Sequence, residues 1–159
     1  MAYVWKKQYD RAIAEAERAI ALDPNDAGGY DVLGQIQRFV GQPEESIRLT
    51  EKAMRLNPRY PVGYLVDIGI AYRVARRYEE AIVSLKKALI LSPDLWVVHA
   101  NLAACYAELG RLEEARAAVA ELRRLNPKFS LEVFKHFLPY KDPAEIEHFL
   151  DGMRKAGLK

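Results

Sequence analysis

Residues 55–60 read RLNPRY, and close variants of this phrase occur at three other places in the chain. Each variant ends a run of apolar and charged residues with a leucine followed, two positions later, by a proline. The prolines are Pro24, Pro58, Pro93 and Pro127, so successive ones are 34, 35 and 34 residues apart. A fixed period of this length is the sequence signature of a stacked repeat array. One structural unit, used several times, is therefore expected.

The composition restricts the classes of function. Half of the 159 residues are hydrophobic, which is enough to bury a sizeable core. The 24 Lys and Arg against 22 Asp and Glu give a net charge of +2, which disfavours nucleic acid as a partner. Cys105 is the only cysteine, which excludes an internal disulfide and favours a reducing, cytoplasmic location. No export signal and no stretch of roughly 18 apolar residues is present, so no membrane association is predicted.

Two helical patterns lie between successive prolines. The second of them is clearest in residues 79–93, EEAIVSLKKALILSP, where apolar residues recur at spacings of one, three and four. This spacing is typical of the apolar face of an amphipathic α-helix. Paired glutamates open each of these helices, where they favour the positive end of the helix dipole. The glutamates are interpreted as helix support and not as catalytic acids.

The first helix of each unit contains a large apolar residue followed by a very small one. A glycine inside a helix costs roughly 1 kcal/mol relative to alanine. We therefore expect a neighbouring helix to approach these positions so closely that a side chain would block it. The pairs are Leu33-Gly34, Ile68-Gly69 and Leu102-Ala103.

The breaks between helices carry their own signals. Gly41 and Gly110 are predicted to adopt the left-handed conformation that ends a helix, and Arg76 replaces this glycine in one unit. Pro58 and its equivalents stop the second helix, because the residue before proline avoids helical geometry. Pro61 is expected to accompany a longer loop at the 35-residue interval.

In combination these features resemble the tetratricopeptide repeat family, whose motif runs aromatic, Leu-Gly, Tyr, Ala, a bulky residue, Ala and Pro. The resemblance implies an all-α, right-handed α-solenoid of tandem helix-turn-helix repeats over residues 1–129, with C-terminal capping helices in residues 130–159. Complete repeats are expected at 27–61, 62–95 and 96–129, and a partial one at 1–26. The residues that carry the motif are Tyr30, Leu33, Gly34, Ala53 and Pro58 in the first complete repeat; Ile68, Gly69, Tyr72, Ala81, Ala88 and Pro93 in the second; and Leu102, Tyr106, Ala115 and Pro127 in the third.

The first repeat is incomplete, since residues 1–26 hold a full second helix with only a fragment of the helix before it. A repeat buries its apolar face against its neighbours, and terminal units normally carry a polar cap. Two expectations follow: the chain belongs to a larger protein that precedes Met1, and the uncapped N-terminal edge pairs with a second copy to form a homodimer.

The repeat lapses after Pro127. Asp142, Pro143 and Glu145 give a strong helix start with an N-cap acid and a capping-box glutamate, and an apolar stripe from Ile146 to Met153 follows. This helix is expected to cover the last repeat, and the alternative is a detachable helix that occupies a groove or docks on a partner. Residues expected to assist the cover are Phe129, Phe134, Phe137 and Leu138. The tail also resembles the end of arrays in bacterial signalling proteins, some of which carry a class III nucleotide cyclase domain.

Catalytic signals are weak. His99, His136 and His148 are far apart, and none has a partner at metal-ligand spacing. Cys105 lies inside a first helix, where a lone thiol behaves as a small hydrophobe. Phosphate-binding loops and nucleophile motifs are absent from the sequence. A non-enzymatic protein without cofactor or metal is predicted.

The remaining candidate for function is a surface. Stacked helix pairs create an extended concave face, and the family resemblance implies that the first helix of each repeat lines it. Some members of the family hold the C-terminal carboxylate of heat-shock chaperones with a clamp of lysines and asparagines. Here only Asn101 is suitably placed and the lysines are missing, so binding of chaperone C-termini is disfavoured. An extended or helical peptide with apolar anchors fits better, with Arg38 and Arg73 available for an acidic residue. The predicted groove residues are Asp31, Gln35, Arg38, Phe39, Val66, Ile70, Arg73, Val74, Val97, Asn101, Ala104 and Glu108.

The predicted function is therefore a protein-interaction module that binds a peptide or a partner protein, as a regulatory or scaffold part of a larger bacterial protein. Self-assembly through the N-terminal edge is the alternative. RNA binding by helical repeats would require a cationic groove and a salt-sensitive interaction, and the nearly neutral charge disfavours it.

Overall fold

The structure is a computed structural model that describes all 159 residues and consists of ten α-helices. The predicted all-α class is therefore confirmed. None of the helices is both long and apolar enough to cross a lipid bilayer. The helices are α1 (Ala2–Trp5), α2 (Tyr9–Leu22), α3 (Ala27–Phe39), α4 (Pro43–Leu56), α5 (Val62–Val74), α6 (Tyr78–Leu91), α7 (Trp96–Glu108), α8 (Leu112–Leu125), α9 (Leu131–Lys135) and α10 (Pro143–Lys155).

Helices α2 to α8 stack in chain order. Helices α3 and α4, α5 and α6, and α7 and α8 pack as hairpins, and each hairpin packs against the next through its neighbouring helices. In addition, α3 contacts α5 and α5 contacts α7, so these three first helices form one continuous wall. This arrangement is the predicted solenoid, in which every repeat buries its apolar side against its neighbours.

The helix breaks follow the sequence signals. Helices α2, α4, α6 and α8 each end at a leucine two residues before a repeat proline. Gly41 and Gly110 have φ of 87° and 71°, and Arg76 adopts the same left-handed conformation with φ of 63°. The predicted exception at Arg76 is therefore confirmed. The connection between α4 and α5, residues 57–61, contains the extra residue of the 35-residue interval.

Helices approach closely at the small residues of the first helices. A Cβ atom added to Gly69 would lie 2.7 Å from Leu85 Cγ, and one added to Gly34 would lie 2.9 Å from Thr50 Oγ1. Real Cβ atoms do not approach other heavy atoms so closely. A side chain at Gly69 would therefore push α5 away from α6, and a side chain at Gly34 would push α3 away from α4. The conformational cost of glycine is thus offset by tight packing within the hairpin.

The chain after α8 folds back onto the repeats. Aromatic rings join α7 to α9, with ring centroids 5.8 Å apart for Trp96 and Phe129 and 5.1 Å apart for Phe129 and Phe134. Helix α10 packs along α7. The connection between α9 and α10, residues 136–142, crosses the wall of first helices, and we call it the strap. Phe137, which was predicted to help cover the last repeat, is instead 60% exposed.

The start of α10 has the predicted N-cap. The Asp142 carboxylate accepts a hydrogen bond of 2.9 Å from the backbone N–H of Ala144. Glu145 differs from the capping-box prediction, because its carboxylate pairs with Arg76 at 2.7 Å and does not turn back to the N-cap. The residue with left-handed backbone geometry between α5 and α6 is thereby tied to the C-terminal helix.

Candidate partner-binding site

The predicted groove residues lie on α3, α5 and α7, the three helices that form the continuous wall. We call the surface of this wall that faces the strap the concave face. The structure divides the predicted residues into two groups. Asp31, Gln35 and Arg38 on α3 form a polar network with the first half of α5. Phe39 at the end of α3, and the predicted residues on the second half of α5 and on α7, lie against the chain's own C-terminal tail.

The N-terminal half of the concave face holds a polar network. Gln35 Nε2 donates to Asp31 Oδ2 at 3.0 Å and to Asp67 Oδ2 at 3.1 Å, so one amide joins two carboxylates. Arg38 Nη1 donates to the backbone carbonyl of Asp67 at 3.1 Å and to its Oδ1 at 3.3 Å. Asp67 was not among the predicted site residues. Its charge compensates Arg38 and fixes the guanidinium against α5.

This network contains more negative than positive charge. Asp31 is buried, and its Oδ1 has no hydrogen-bond partner. Burial and, to a smaller extent, the nearby charge of Asp67 raise the pKa of Asp31 to about 6, against opposing contributions from Gln35 and Arg38. Burial likewise raises the pKa of Asp67, although Arg38 opposes the shift. Ionisation of Asp31 is therefore less favourable in the folded protein than in the unfolded chain, where the carboxyl group has its ordinary pKa of 3.8.

The C-terminal half is organised around Arg73, which is only 3% exposed. Its Nε donates to Asn101 Oδ1 at 2.8 Å, and its Nη2 donates to the hydroxyl of Tyr140 at 3.2 Å. The guanidinium also lies over the ring of Phe149, 4.5 Å from the centroid. Asn101 in turn donates to the backbone carbonyl of Val97 at 2.8 Å. Both residues predicted to face a partner are thus engaged within the protein.

Helix α10 covers the rest of α7. A Cβ atom added to Gly152 would lie 3.2 Å from Cα and Cβ of Ala104, so the two helices are in direct backbone contact. Glu108 accepts a hydrogen bond of 2.9 Å from Lys155. The predicted groove residues Ala104 and Glu108 therefore lie beneath α10 or at its edge.

The strap crosses the concave face between these halves. Tyr140 is buried, with its ring 5.3 Å from that of Phe39 in an edge-to-face arrangement. The backbone N–H of Lys141 donates to the carbonyl of Phe39 at 2.8 Å, and the hydroxyl of Tyr9 donates to the carbonyl of Pro139 at 3.1 Å. A non-helical segment is thus held by one aromatic ring and by main-chain hydrogen bonds.

A cavity of about 160 Å³ remains between the strap and the concave face. Arginine and asparagine are the polar residues of its lining, together with the Tyr140 hydroxyl, and no carboxylate lines it. The Nε of Arg38 has no hydrogen-bond partner. The lining comprises Trp5, Arg38, Phe39, Ile70, Arg73, Val97, Asn101, Phe134, Phe137, Leu138, Pro139, Tyr140 and Phe149.

Comparison with known proteins agrees with the stacked hairpins. Two family profiles described as tetratricopeptide repeat match residues 1–26 and 75–133. A solved structure of MamA is 31% identical, has a TM-score of 0.65, and is matched over 79% of this chain and 73% of its own. The chain belongs to the tetratricopeptide repeat family. Members of this family mediate protein–protein interactions, which gives the general class of function.

Two further relatives show the range of tetratricopeptide repeat proteins that this chain resembles. CycH of Rhizobium meliloti (strain 1021), a cytochrome c-type biogenesis protein, is 32% identical over 117 residues, which are 72% of this chain and 31% of CycH. The chain therefore spans less than a third of that relative. YrrB, described as a protein with an unusual peptide-binding site, has a TM-score of 0.65 at 21% identity, over 98% of this chain and 79% of its own. The likeness to YrrB shows the shared fold.

The remaining predicted residues of the tetratricopeptide repeat face differ in accessibility. Val66 and Ile70 on α5 and Val97 on α7 are half-buried, and Ile70 and Val97 line the cavity. Val74 is buried in the same apolar cluster as Phe39 and Tyr140.

Tyr140 was not among the predicted site residues. Its hydroxyl meets Arg73, which is 67 positions away in the chain, and no periodic pattern connects the two residues. The sequence feature that could have indicated a role for Tyr140 is Leu138-Pro139-Tyr140, a short apolar and aromatic segment outside any helix pattern.

Cys105 and His148 have structural surroundings in this tetratricopeptide repeat array. Cys105 is fully buried in α7, and burial raises the pKa of its thiol to about 12, so the thiol stays protonated. This agrees with its interpretation as a small hydrophobe. His148 on α10 lies 3.0 Å from the hydroxyl of Tyr78, and burial lowers the pKa of its imidazole.

Proposed function

We propose that the concave face formed by α3, α5 and α7 binds an extended segment of a partner protein, through an apolar anchor and an adjacent acidic residue. The observation that supports this proposal is the strap. A non-helical segment of the chain itself lies across this face, with the ring of Tyr140 buried against Phe39 and a main-chain hydrogen bond from Lys141. In this role the protein is a regulatory or scaffold module.

The charge of the cavity supports an acidic residue in the partner. Arg38 and Arg73 line a cavity that is otherwise mostly apolar and contains no carboxylate. The Nε of Arg38 lacks a hydrogen-bond partner, so one buried donor remains unsatisfied. A carboxylate beside an apolar side chain would match this lining, since charge-assisted hydrogen bonds to guanidinium are among the stronger ones.

The test uses peptides selected from a phage-displayed random library on the wild-type protein. Their affinity is then measured for two full-length variants, Ile70→Lys and Val83→Lys. Ile70 lines the cavity, whereas Val83 is 54% exposed on α6, away from the concave face. A charge at position 70 should weaken binding by at least about tenfold, which corresponds to roughly 1.4 kcal/mol. The Val83→Lys control should bind like the wild type.

The opposite pattern would reject the concave face as the binding surface. Selected peptides that lose affinity for Val83→Lys and keep it for Ile70→Lys would place the site on the outer helices. Far-ultraviolet circular dichroism of both variants verifies that the helices are retained, so a loss of affinity can be assigned to the surface.

Self-assembly through the N-terminal helices is a second candidate, and exposed apolar side chains favour it. Trp5 on α1 is 55% exposed and Leu22 at the end of α2 is 80% exposed. A second copy that packs on these helices would remove both side chains from water. Sedimentation velocity over a wide range of protein concentration tests this candidate. A dimer that dissociates in Trp5→Gln or Leu22→Gln supports it, and a monomer at every concentration rejects it.

The wider context of the module stays a prediction. This applies to the cytoplasmic location, to a bacterial origin, and to the resemblance of the tail to arrays in signalling proteins with cyclase domains.

A further inference from the structure

The strap is held to the concave face by few contacts. Of residues 136–142, only Pro139 and Tyr140 are buried, and Leu138 is half-buried. The anchoring contacts are the ring of Tyr140 on Phe39, the hydrogen bond from Arg73 to its hydroxyl, and the hydrogen bonds to Pro139 and from Lys141. A segment with so few buried side chains opens at a lower free energy than the core of the protein.

Helix α10 is held much more firmly. Phe149, Leu150 and Met153 are at most 2% exposed and belong to the same apolar cluster as the buried residues of α7 and α8. Opening α10 would expose these side chains to water, at roughly 1.5–3 kcal/mol for each large apolar residue. The strap can therefore leave the concave face while α10 stays in place.

The strap also fills its site incompletely. The cavity of about 160 Å³ lies between it and the apolar side chains of Ile70, Val97 and Phe149. The cavity is open to solvent and large enough to hold water, so its apolar lining would be stabilised by contact with a further apolar side chain. Phe137, the strap's own large apolar residue at the rim of this cavity, is 60% exposed. A competing segment with a side chain in the cavity would gain contacts that the strap does not make.

We propose that the strap is an intramolecular competitor for the concave face, and that the partner which displaces it is an extended segment that combines the Leu-Pro-Tyr chemistry of residues 138–140 with a nearby acidic residue, as Asp142 follows Tyr140 in the strap. This inference rests on the proposed function, because it assigns a regulator and a partner class to the same face. The tyrosine of the partner takes the place of Tyr140, with its ring on Phe39 and its hydroxyl accepting from Arg73. Wild-type protein is then closed, and only a partner that outcompetes the tethered strap binds.

Tethering determines the strength of this competition. A segment joined to its site by a short linker acts at an effective concentration on the order of millimolar. The strap is bounded on both sides by docked helices, α9 and α10, so its ends stay close to the concave face. A free peptide of the same chemistry must therefore bind the wild type much more weakly than a variant with a loosened strap.

The probe is a fluorescent synthetic peptide with the sequence of residues 134–143, FKHFLPYKDP. Fluorescence anisotropy measures its affinity for full-length wild type, for Tyr140→Ala, and for Lys141→Ala. Tyr140→Ala removes the strap's buried ring, whereas the Lys141 side chain is exposed and its backbone N–H is kept. The peptide should bind Tyr140→Ala about tenfold or more tightly than wild type, and Lys141→Ala like wild type. A peptide with alanine in place of its tyrosine should lose this affinity.

A second measurement uses the wild type alone and does not depend on the folding of a variant. The backbone N–H of Lys141 donates to Phe39, so its hydrogen exchange reports on strap opening. Excess peptide should accelerate exchange at Lys141 and leave α10 protected. Unchanged exchange at Lys141 under saturating peptide would overturn the proposal.

Three other outcomes would also overturn it. Equal peptide affinity for wild type and Tyr140→Ala would show that the strap does not compete with the peptide. In that case the proposed function would still hold if the library peptides bind in an Ile70-dependent way. Absence of any Ile70-dependent peptide would remove the proposed function and the competition together. Exchange at Lys141 that varies with protein concentration, together with a dimer in sedimentation, would assign the concave face to the strap of a second copy.

Discussion

The two halves of the concave face satisfy their polar side chains in different ways. In the N-terminal half, Gln35 joins Asp31 and Asp67, and all three belong to the repeats. In the C-terminal half, Arg73 requires the hydroxyl of Tyr140 from the tail. The polar network of one half is therefore formed by the repeats alone, whereas that of the other half includes a residue of the tail.

Because of this difference, the stability of the two halves should depend on different conditions. The N-terminal half retains an unpaired oxygen on Asp31 and a raised pKa, so its stability depends on pH. The C-terminal half depends on docking of residues far along the chain, so its stability depends on the packing of α10 and on the strap. Repeat proteins are stabilised mainly by contacts between neighbours, and here the tail acts as an additional neighbour for α5 and α7.

The dependence on the tail is tested most strongly at Met153. This residue of α10 is fully buried. Met153→Ala should lower the free energy of unfolding by about 2–5 kcal/mol, because it removes apolar contacts and leaves a cavity. Urea-induced unfolding followed by circular dichroism measures the loss. Val133→Ala on α9, where the side chain is 57% exposed, is the control and should change the value by less than about 0.5 kcal/mol. Similar values for both variants would mean that α10 is not part of the core.

The N-terminal half is tested by pH. The pKa of Asp31 is raised from 3.8 to about 6, so between these values the folded protein binds more protons than the unfolded chain. The contribution of Asp31 to the free energy of unfolding should therefore fall as pH rises through this window, by an amount on the order of 3 kcal/mol for the full shift. Urea titrations at several pH values measure the fall.

The matching variant is Asp31→Asn, whose amide oxygen still accepts from Gln35 but does not ionise. Its stability should vary less with pH across the same window. Asp94→Asn, in the exposed connection between α6 and α7, is the control and should follow the wild type. A pH dependence that is identical in wild type and Asp31→Asn would show that Asp31 is not the responsible group.

The sequence predicted the repeats well because their determinants are local and periodic. The spacing of Pro58 from its equivalents, and the small residue at Gly69, each correspond to a feature of one hairpin. The same periodicity placed Arg73 and Asn101 on one face. It contains no information about Tyr140, because the tail lies outside the repeat and meets Arg73 across 67 residues of chain. The residues that line the concave face can be predicted from the repeat period, whereas the segment that covers them is determined by tertiary packing.

The contact between α10 and α7 gives a smaller test at Gly152. An added side chain there would meet Cα and Cβ of Ala104 at 3.2 Å. Gly152→Leu should lower the free energy of unfolding by about 1–3 kcal/mol, since overpacking displaces the helices. Gly63→Ala in α5 is the control, because nothing lies within 4 Å of its added Cβ. The control should be neutral or slightly stabilising, as alanine has the higher helix propensity. A Gly152→Leu protein as stable as wild type would show that α10 shifts freely on α7.

The smallest effect is expected where the strap meets α2. Tyr9→Phe removes the hydrogen bond from the tyrosine hydroxyl to the carbonyl of Pro139, which contributes about 0.5–1.5 kcal/mol. Because this bond holds only the strap, local opening should become easier while global unfolding changes little. Hydrogen exchange at Lys141 should accelerate by up to about tenfold, and exchange at Ala156, whose N–H bonds to Gly152, should stay as in wild type. Tyr3→Phe is the matched control, since the Tyr3 hydroxyl meets only the exposed side chain of Arg11. Equal acceleration at Lys141 and Ala156 would mean that strap and α10 open as one unit, and the division of the tail into a fixed helix and an exchangeable strap would then be wrong.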